Sequence, residues 1–179
     1  AWNYTYKYIF PVAHSPELNS EGVEQAIHYY GLTQILKVEL MHRISDTYGP
    51  VVYSKFGNGE VNSVDTQQEA YAAFFSDLDK GIDAMDKYLK NGGDDLSLNA
   101  NDMLNAKSIK GWIKFANSLR LRLAMRISNV DKTNAEIQAK KALANPYGVL
   151  EAANEIIQVS GHGYTNPLIA IGGWGEAYM

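Results

Sequence analysis

Glu39-x-x-His42 is the spacing in this chain that comes nearest to a metal site. On a helix the two side chains share one side, and two such pairs with two further glutamates build a di-iron carboxylate centre. A second pair is missing, because none of His14, His28 and His162 follows an acid at that spacing. His28 and His42 fall on roughly one side of a single helical run but about 21 Å apart at the α-helical rise, too far to share an ion. No metal and no cofactor is expected, and the histidines are read as surface or hydrogen-bonding groups.

Carboxylates come next. Glycoside hydrolysis needs two carboxyl groups facing each other across a cleft, about 5 to 9 Å apart. Asp77, Asp79 and Asp83 share one helical run, and Asp79 and Asp83 are one turn apart, which leaves no room for a sugar between them. A solvated face is the expectation. Serine, histidine and aspartate all occur, but no Gly-x-Ser-x-Gly elbow presents a nucleophile. The glycines near 161 and 172 do not form a phosphate-cradling loop either. Asn166 stands where a third glycine counted from Gly161 would be, and no strand–loop–helix unit surrounds it. No catalytic residue is assigned.

Aromatic side chains offer a different chemistry, since the apolar face of a sugar stacks on an exposed ring while its hydroxyls seek amides and carboxylates. Tyrosine occurs 12 times. Trp174 lies among glycines, with Tyr164, Asn166 and Glu176 close along the chain. Trp174 and Tyr164 are therefore the candidate ligand-binding residues. The competing reading of Trp174 is a ring that packs on further polypeptide.

The elements that must position these residues are helical. Thr66 followed by Glu69 forms a capping-box pattern ahead of a run that places Ala70, Phe74, Leu78, Ile82, Met85 and Leu89 on one side. An earlier run starts at Ser20, a cap candidate, and stops at Gly49-Pro50. Asp131 caps a fourth run that Asn145-Pro146 closes. Between them lies GWIKFANSLRLRLAMRISN, residues 111–129, where Trp112, Phe115, Ala116, Leu119, Leu123 and Ile127 recur at three- and four-residue steps. Arg120, Arg122 and Arg126 interrupt its other sides. Guanidinium groups on so apolar a helix call for carboxylate or carbonyl partners.

Four main helices thus define an all-α fold, and the periodicity alone supports a bundle or short solenoid. Residues 1–19 carry Trp2, Tyr4, Tyr6, Tyr8 and Phe10 in strict alternation beside Pro11 and Pro16, and read as an extended arm, strand or coil. The reading is one helical domain: an arm over 1–19, a helical core over 20–145, and an irregular Gly-rich tail over 146–179 with a short hairpin near 156–171.

Composition narrows the function. Of the 179 residues 46% are hydrophobic and 20% charged, the shares of a folded globular domain. The net charge of −4 argues against nucleic acid as a partner. The chain has no cysteine, which excludes disulfides, thiolate catalysis and cysteine-ligated zinc or iron. No run approaches the roughly 20 apolar residues of a membrane span, and AWNYTYKYIF lacks the features of a signal peptide.

Three segments carry a family resemblance. GWIKFANSLRLRLAMRISNVD resembles the helical signature of the SusD/RagB family, surface lipoproteins with which Bacteroidetes capture glycans beside a TonB-dependent transporter. RISDTYGPVVYSKF, residues 43–56, resembles the family's helix end and following turn through Asp46, Tyr48, Gly49 and Tyr53. DTQQEAYAAFFSDLDKGIDAM, residues 65–85, resembles its next helix, and the order of the three also agrees. The resemblance implies tetratricopeptide-like helical hairpins and an N-terminal portion of a longer protein. It implies scaffold roles for Trp112, Phe115, Asn117, Ser118, Arg120, Arg122 and Arg126, with Arg122 and Arg126 pairing to carboxylates or helix-end carbonyls of a neighbouring helix. It also implies an oligosaccharide or polysaccharide ligand, a SusC-like TonB-dependent transporter as partner, and an outer-membrane surface location through a lipid anchor upstream of these residues. The function expected is therefore non-catalytic glycan capture. A helical-repeat module for protein partners and peptide capture, which the family also accommodates, are the competing readings.

Overall fold

The structure is a computed structural model and describes residues 5–56, 63–99, 106 and 108–155. Among the described residues the five α-helices are α1 (Phe10–Ser20), α2 (Ile27–Tyr48), α3 (Gln67–Lys90), α4 (Ile109–Ile127) and α5 (Lys132–Leu143). A π-helical turn, Thr5–Ile9, precedes α1, and short 3-10 turns cover Glu24–Ala26 and Ala153–Glu155. Among the described residues the β contribution is one antiparallel bridge, Val51 with Asp65. The all-α expectation holds, and α2 to α5 are the four main helices.

The arm expectation fails. Residues 5–20 are helical, so the helical core begins before residue 20. The physical reason lies in the spacing itself, since aromatics at alternate positions also recur every fourth residue, one helical turn apart. Tyr6 and Phe10 meet edge to face at 6.2 Å, and Phe10 packs on Phe56 at 4.5 Å and on Tyr53 at 5.8 Å between ring centres. The partners that fold this segment lie more than 40 residues downstream, where local periodicity cannot register them. Trp2 and Tyr4 lie outside the described residues.

Ser20 also differs from its expected role. It closes α1, its hydroxyl donating to the Pro16 carbonyl, and does not open α2. The chain turns at Gly22 and re-enters helix through Glu24–Ala26, with no side-chain cap on α2. The other boundaries follow the sequence. Gly49 takes a φ of 83°, which glycine adopts without steric penalty, and its N–H returns to the Ser45 carbonyl to end α2. Thr66 and Glu69 form the reciprocal capping box of α3. Asp131 accepts the Asn134 N–H to start α5.

Helices α2 and α3 form one antiparallel hairpin, and α4 and α5 form a second that packs on α3. The core between them contains Ile35, Val38, Met41, Phe74, Leu78, Met85, Ile113, Leu119 and Leu123. Trp112 is 2% exposed, on the buried stripe where the periodicity put it.

Candidate functional site

The most concentrated polar chemistry among the described residues sits where α1, α2 and α3 meet. Glu17 of α1 accepts hydrogen bonds from Lys37 Nζ at 2.8 and 2.9 Å and from Gln34 Nε2 at 2.8 Å, and His14 Nδ1 lies 3.0 Å from its carboxylate. Lys37 Nζ also stands 3.6 Å from Asp77 and 5.5 Å from the centre of the Tyr53 ring. Asp77 in turn accepts the Tyr53 hydroxyl at 2.7 Å and Lys80 Nζ at 2.8 Å. Gln34 with Lys37, and Asp77 with Lys80, are three apart on their helices, so helical geometry delivers each pair to the junction.

Two lysines thus neutralise two carboxylates within one cluster, in which Lys37 and Asp77 are buried, Glu17 is half-buried and Lys80 is exposed. Burial alone would raise the Glu17 carboxyl, yet the hydrogen bonds from Gln34, Lys37 and His14 outweigh it and hold the group below its ordinary value. Burial and the neighbouring Asp77 push the Tyr53 phenol well above its ordinary value, so it stays protonated and donates. Both carboxylates face lysines, and the phenol keeps its proton. Chemically this cluster locks three elements together.

Asp65 has a similar role at the turn. Its carboxylate accepts the N–H groups of Tyr53 and Ser54 at 3.0 and 2.7 Å and the Ser54 hydroxyl at 2.6 Å. It holds the turn that follows Gly49-Pro50 against the start of α3.

The arginines of α4 divide. Arg120, 1% exposed, pairs with Asp79 of α3 and donates to Gln138 of α5 at 2.8 Å, joining three helices. Arg126 pairs with Asp46 of α2 at 2.8 Å, the carboxylate contact expected of it. Asp46 also accepts the Tyr71 hydroxyl. Arg122 is exposed and is not part of that contact.

The aspartates depart from a purely solvated face. Asp77 is buried and Asp79 is held by Arg120 and Lys141, while Asp83 is exposed as expected. Among the histidines, His42 is fully buried with Nδ1 donating to the Val38 carbonyl at 3.0 Å, and His28 is buried with its ring stacked on Tyr88. Glu39 stands 3.9 Å from His42 and pairs with Arg43 instead. The described residues contain no group of three or more metal-ligating side chains. His162, Tyr164 and Trp174 lie outside the described residues.

Sequence reasoning missed Glu17, Lys37 and Tyr53 as one unit. The available signal was Lys37 itself, a charge set between Ile35, Leu36 and Val38 in the middle of a helix.

A model of the SusD-like family, described as Susd and RagB outer membrane lipoprotein, matches residues 1–179. Among solved structures, a SusD homologue from Bacteroides vulgatus is 62% identical with a TM-score of 0.92, covering 97% of this chain and 35% of its own. A chitin-binding SusD homologue from Flavobacterium johnsoniae is 38% identical with a TM-score of 0.87, covering 95% of this chain and 35% of its own. A SusD homologue from Bacteroides uniformis is 36% identical with a TM-score of 0.71, covering 83% and 30%. The chain therefore spans about a third of the length of these relatives. No protein of curated function matches it.

Proposed function

The chain belongs to the SusD-like family, and from that membership we propose that it is part of a non-catalytic protein of the outer-membrane surface that binds oligosaccharides and passes them to a SusC-like TonB-dependent transporter. The observation that carries this reading is the likeness, 38% identity over 95% of the chain, to a homologue described as chitin-binding. Chitin is a polymer of N-acetylglucosamine, so chitooligosaccharides are the first ligands to try.

Binding rests on ring stacking and polar contacts, with Trp174 and Tyr164 as the platform. The polar groups of the helical junctions are consumed internally: Glu17 and Asp77 by lysines, Asp79 and Asp46 by arginines. This supports a scaffold role for α1 to α5 and favours binding over hydrolysis. No helix of the described residues is long and apolar enough to cross a membrane, and the attachment proposed is the lipid anchor that the family's description as outer membrane lipoprotein suggests.

Affinity electrophoresis through gels containing soluble chitin derivatives and other polysaccharides tests the reading. Retardation by at least one polysaccharide without release of reducing sugar is expected. Failure to be retarded by any, together with capture of a defined protein partner, would establish the helical-repeat module instead.

A further inference from the structure

Helix α1 is fastened to the bundle by an aromatic plug at its start and a carboxylate near its end. Phe10 packs on Tyr53 and Phe56, and Glu17 accepts hydrogen bonds from Gln34 and from Lys37. Tyr6, just ahead of the helix, accepts the Val52 N–H at 2.9 Å. The helix itself is weak. Pro16 in its interior withholds an N–H from the backbone ladder, and Pro11, Ser15, Pro16, Leu18 and Asn19 are all exposed. The joint that follows is open as well: residues 21–25 are exposed, a Cβ on Gly22 would meet nothing within 4 Å, and α2 starts without a side-chain cap. A segment with few apolar contacts beside an exposed joint is the kind that opens before the rest of a fold.

A buried cation ordinarily forbids such an opening, because the charge left behind is costly. Lys37 is 7% exposed and pairs with Glu17 at 2.8 Å, yet it has somewhere else to go. Its Nζ stands 3.6 Å from Asp77, 3.4 Å from Gln34 Oε1 and 5.5 Å from the centre of the Tyr53 ring. These belong to α2, α3 and the turn between them, and stay when α1 leaves. Asp77 is also bonded by Lys80, whose side chain is 52% exposed and has water as an alternative partner. Closing the gap to Asp77 therefore keeps Lys37 paired, while Glu17 is carried out with α1 and hydrated.

We propose that residues 5–20 form a releasable strap that swings on Gly22 while α2 and α3 stay paired, and that Lys37 makes this possible by passing from Glu17 to Asp77. Release presents Gln34, Lys37 and the rings of Tyr53 and Phe56 to solvent. The strap does not rest on the glycan-binding reading and stands or falls apart from it.

Amide hydrogen exchange on the 179-residue chain, with urea unfolding measured in parallel, tests this. The amides of α1 are expected to exchange as a group, about tenfold or more faster than those of α3 near Phe74 and Leu78. Glu17→Gln should speed α1 by about another tenfold, the loss of one charge-assisted contact, and leave α3 unchanged. Asp77→Asn supplies the decisive sign. It removes the second seat of Lys37, so α1 exchange should slow several-fold even as the urea midpoint falls. Lys80→Ala does the converse, since Asp77 is then freer to take Lys37. It should speed α1 several-fold, and do so in the Glu17→Gln background too, where no pull of Lys80 on a Glu17 charge exists. If Asp77→Asn does not fold, Lys80→Ala decides alone. One common exchange rate for α1 and α3, or an α1 indifferent to Glu17→Gln, overturns the strap. A folded Asp77→Asn that fails to slow α1, or a Lys80→Ala that fails to speed it, overturns the transfer of Lys37.

Discussion

Gly31 of α2 and Gly81 of α3 face each other where the two helices cross. A Cβ on Gly31 would lie 2.8 Å from the Gly81 carbonyl oxygen and 2.8 Å from Met85 Cγ, and one on Gly81 would lie 3.0 Å from the Gly31 carbonyl oxygen. Backbone meets backbone here, so no side chain can yield to make room. Gly31→Ala is expected to cost about 1–3 kcal/mol through overpacking, outweighing the better helix propensity of alanine. Thermal or denaturant unfolding measures this, and a midpoint at or above wild type would show that the helices separate without penalty.

The two paired arginines of α4 should differ. Arg120 is almost wholly buried and serves Asp79 and Gln138 together, so Arg120→Met removes hydrogen bonds to two part-buried acceptors, one of them charged, and should cost about 1–3 kcal/mol. The side chain of Arg126 is 45% exposed, and Arg126→Met should cost no more than about 1 kcal/mol. Urea unfolding of the two variants side by side gives the order, and a larger loss at Arg126 would contradict it.

Much of this was legible in the sequence, for identifiable reasons. Boundaries set by local chemistry were readable: the Thr66–Glu69 box, the Asp131 cap and the glycine stop at Gly49 need only neighbouring residues. The interior position of Trp112 followed from a strong 3.6-residue period. What escaped depends on partners far along the chain. Helix α1 is folded by Phe56 and Tyr53 and by Lys37, and its alternating aromatics point to a strand when taken alone. Asp77 and Asp79 look like surface charges until α2, α4 and α5 bring their cations to them. Periodicity drew attention to the arginines but could not separate buried Arg120 from exposed Arg122. The proposed ring platform was visible only as composition, and Trp174 and Tyr164 fall outside the described residues.

Acid should weaken the fold in two stages. Burial pushes His28 below its usual 6.5, and does the same to His42 against the opposing pull of Glu39, Val38 and Asp46. The folded state therefore prefers both rings neutral, and their contribution is full above pH 6.5 and lost as pH falls toward the lower folded values. Glu17, held below 4.5, contributes fully above that pH and loses its share as pH falls through its folded value. Stability should thus be flat near neutrality, decline below about 6.5 and decline again below about 4.5. Melting temperatures across this range test it. Glu17→Gln should shrink the second decline, which Glu69, Asp86, Glu136 and Glu155, also held below their ordinary values, share, and should spare the first; an acid limb unaltered in that variant would show that the α1 junction carries no such linkage.

Isothermal titration of chitooligosaccharides into the wild-type chain and its Trp174→Ala variant, with the mixture assayed for newly formed reducing ends, tests the central claim most directly. The account predicts saturable binding by wild type, a loss of roughly tenfold or more in affinity on removing one stacking ring, and no cleavage. Binding of equal strength in the variant would contradict the ring assignment. Appearance of shorter oligosaccharides, or no heat with any glycan tried, would contradict a non-catalytic role in sugar capture.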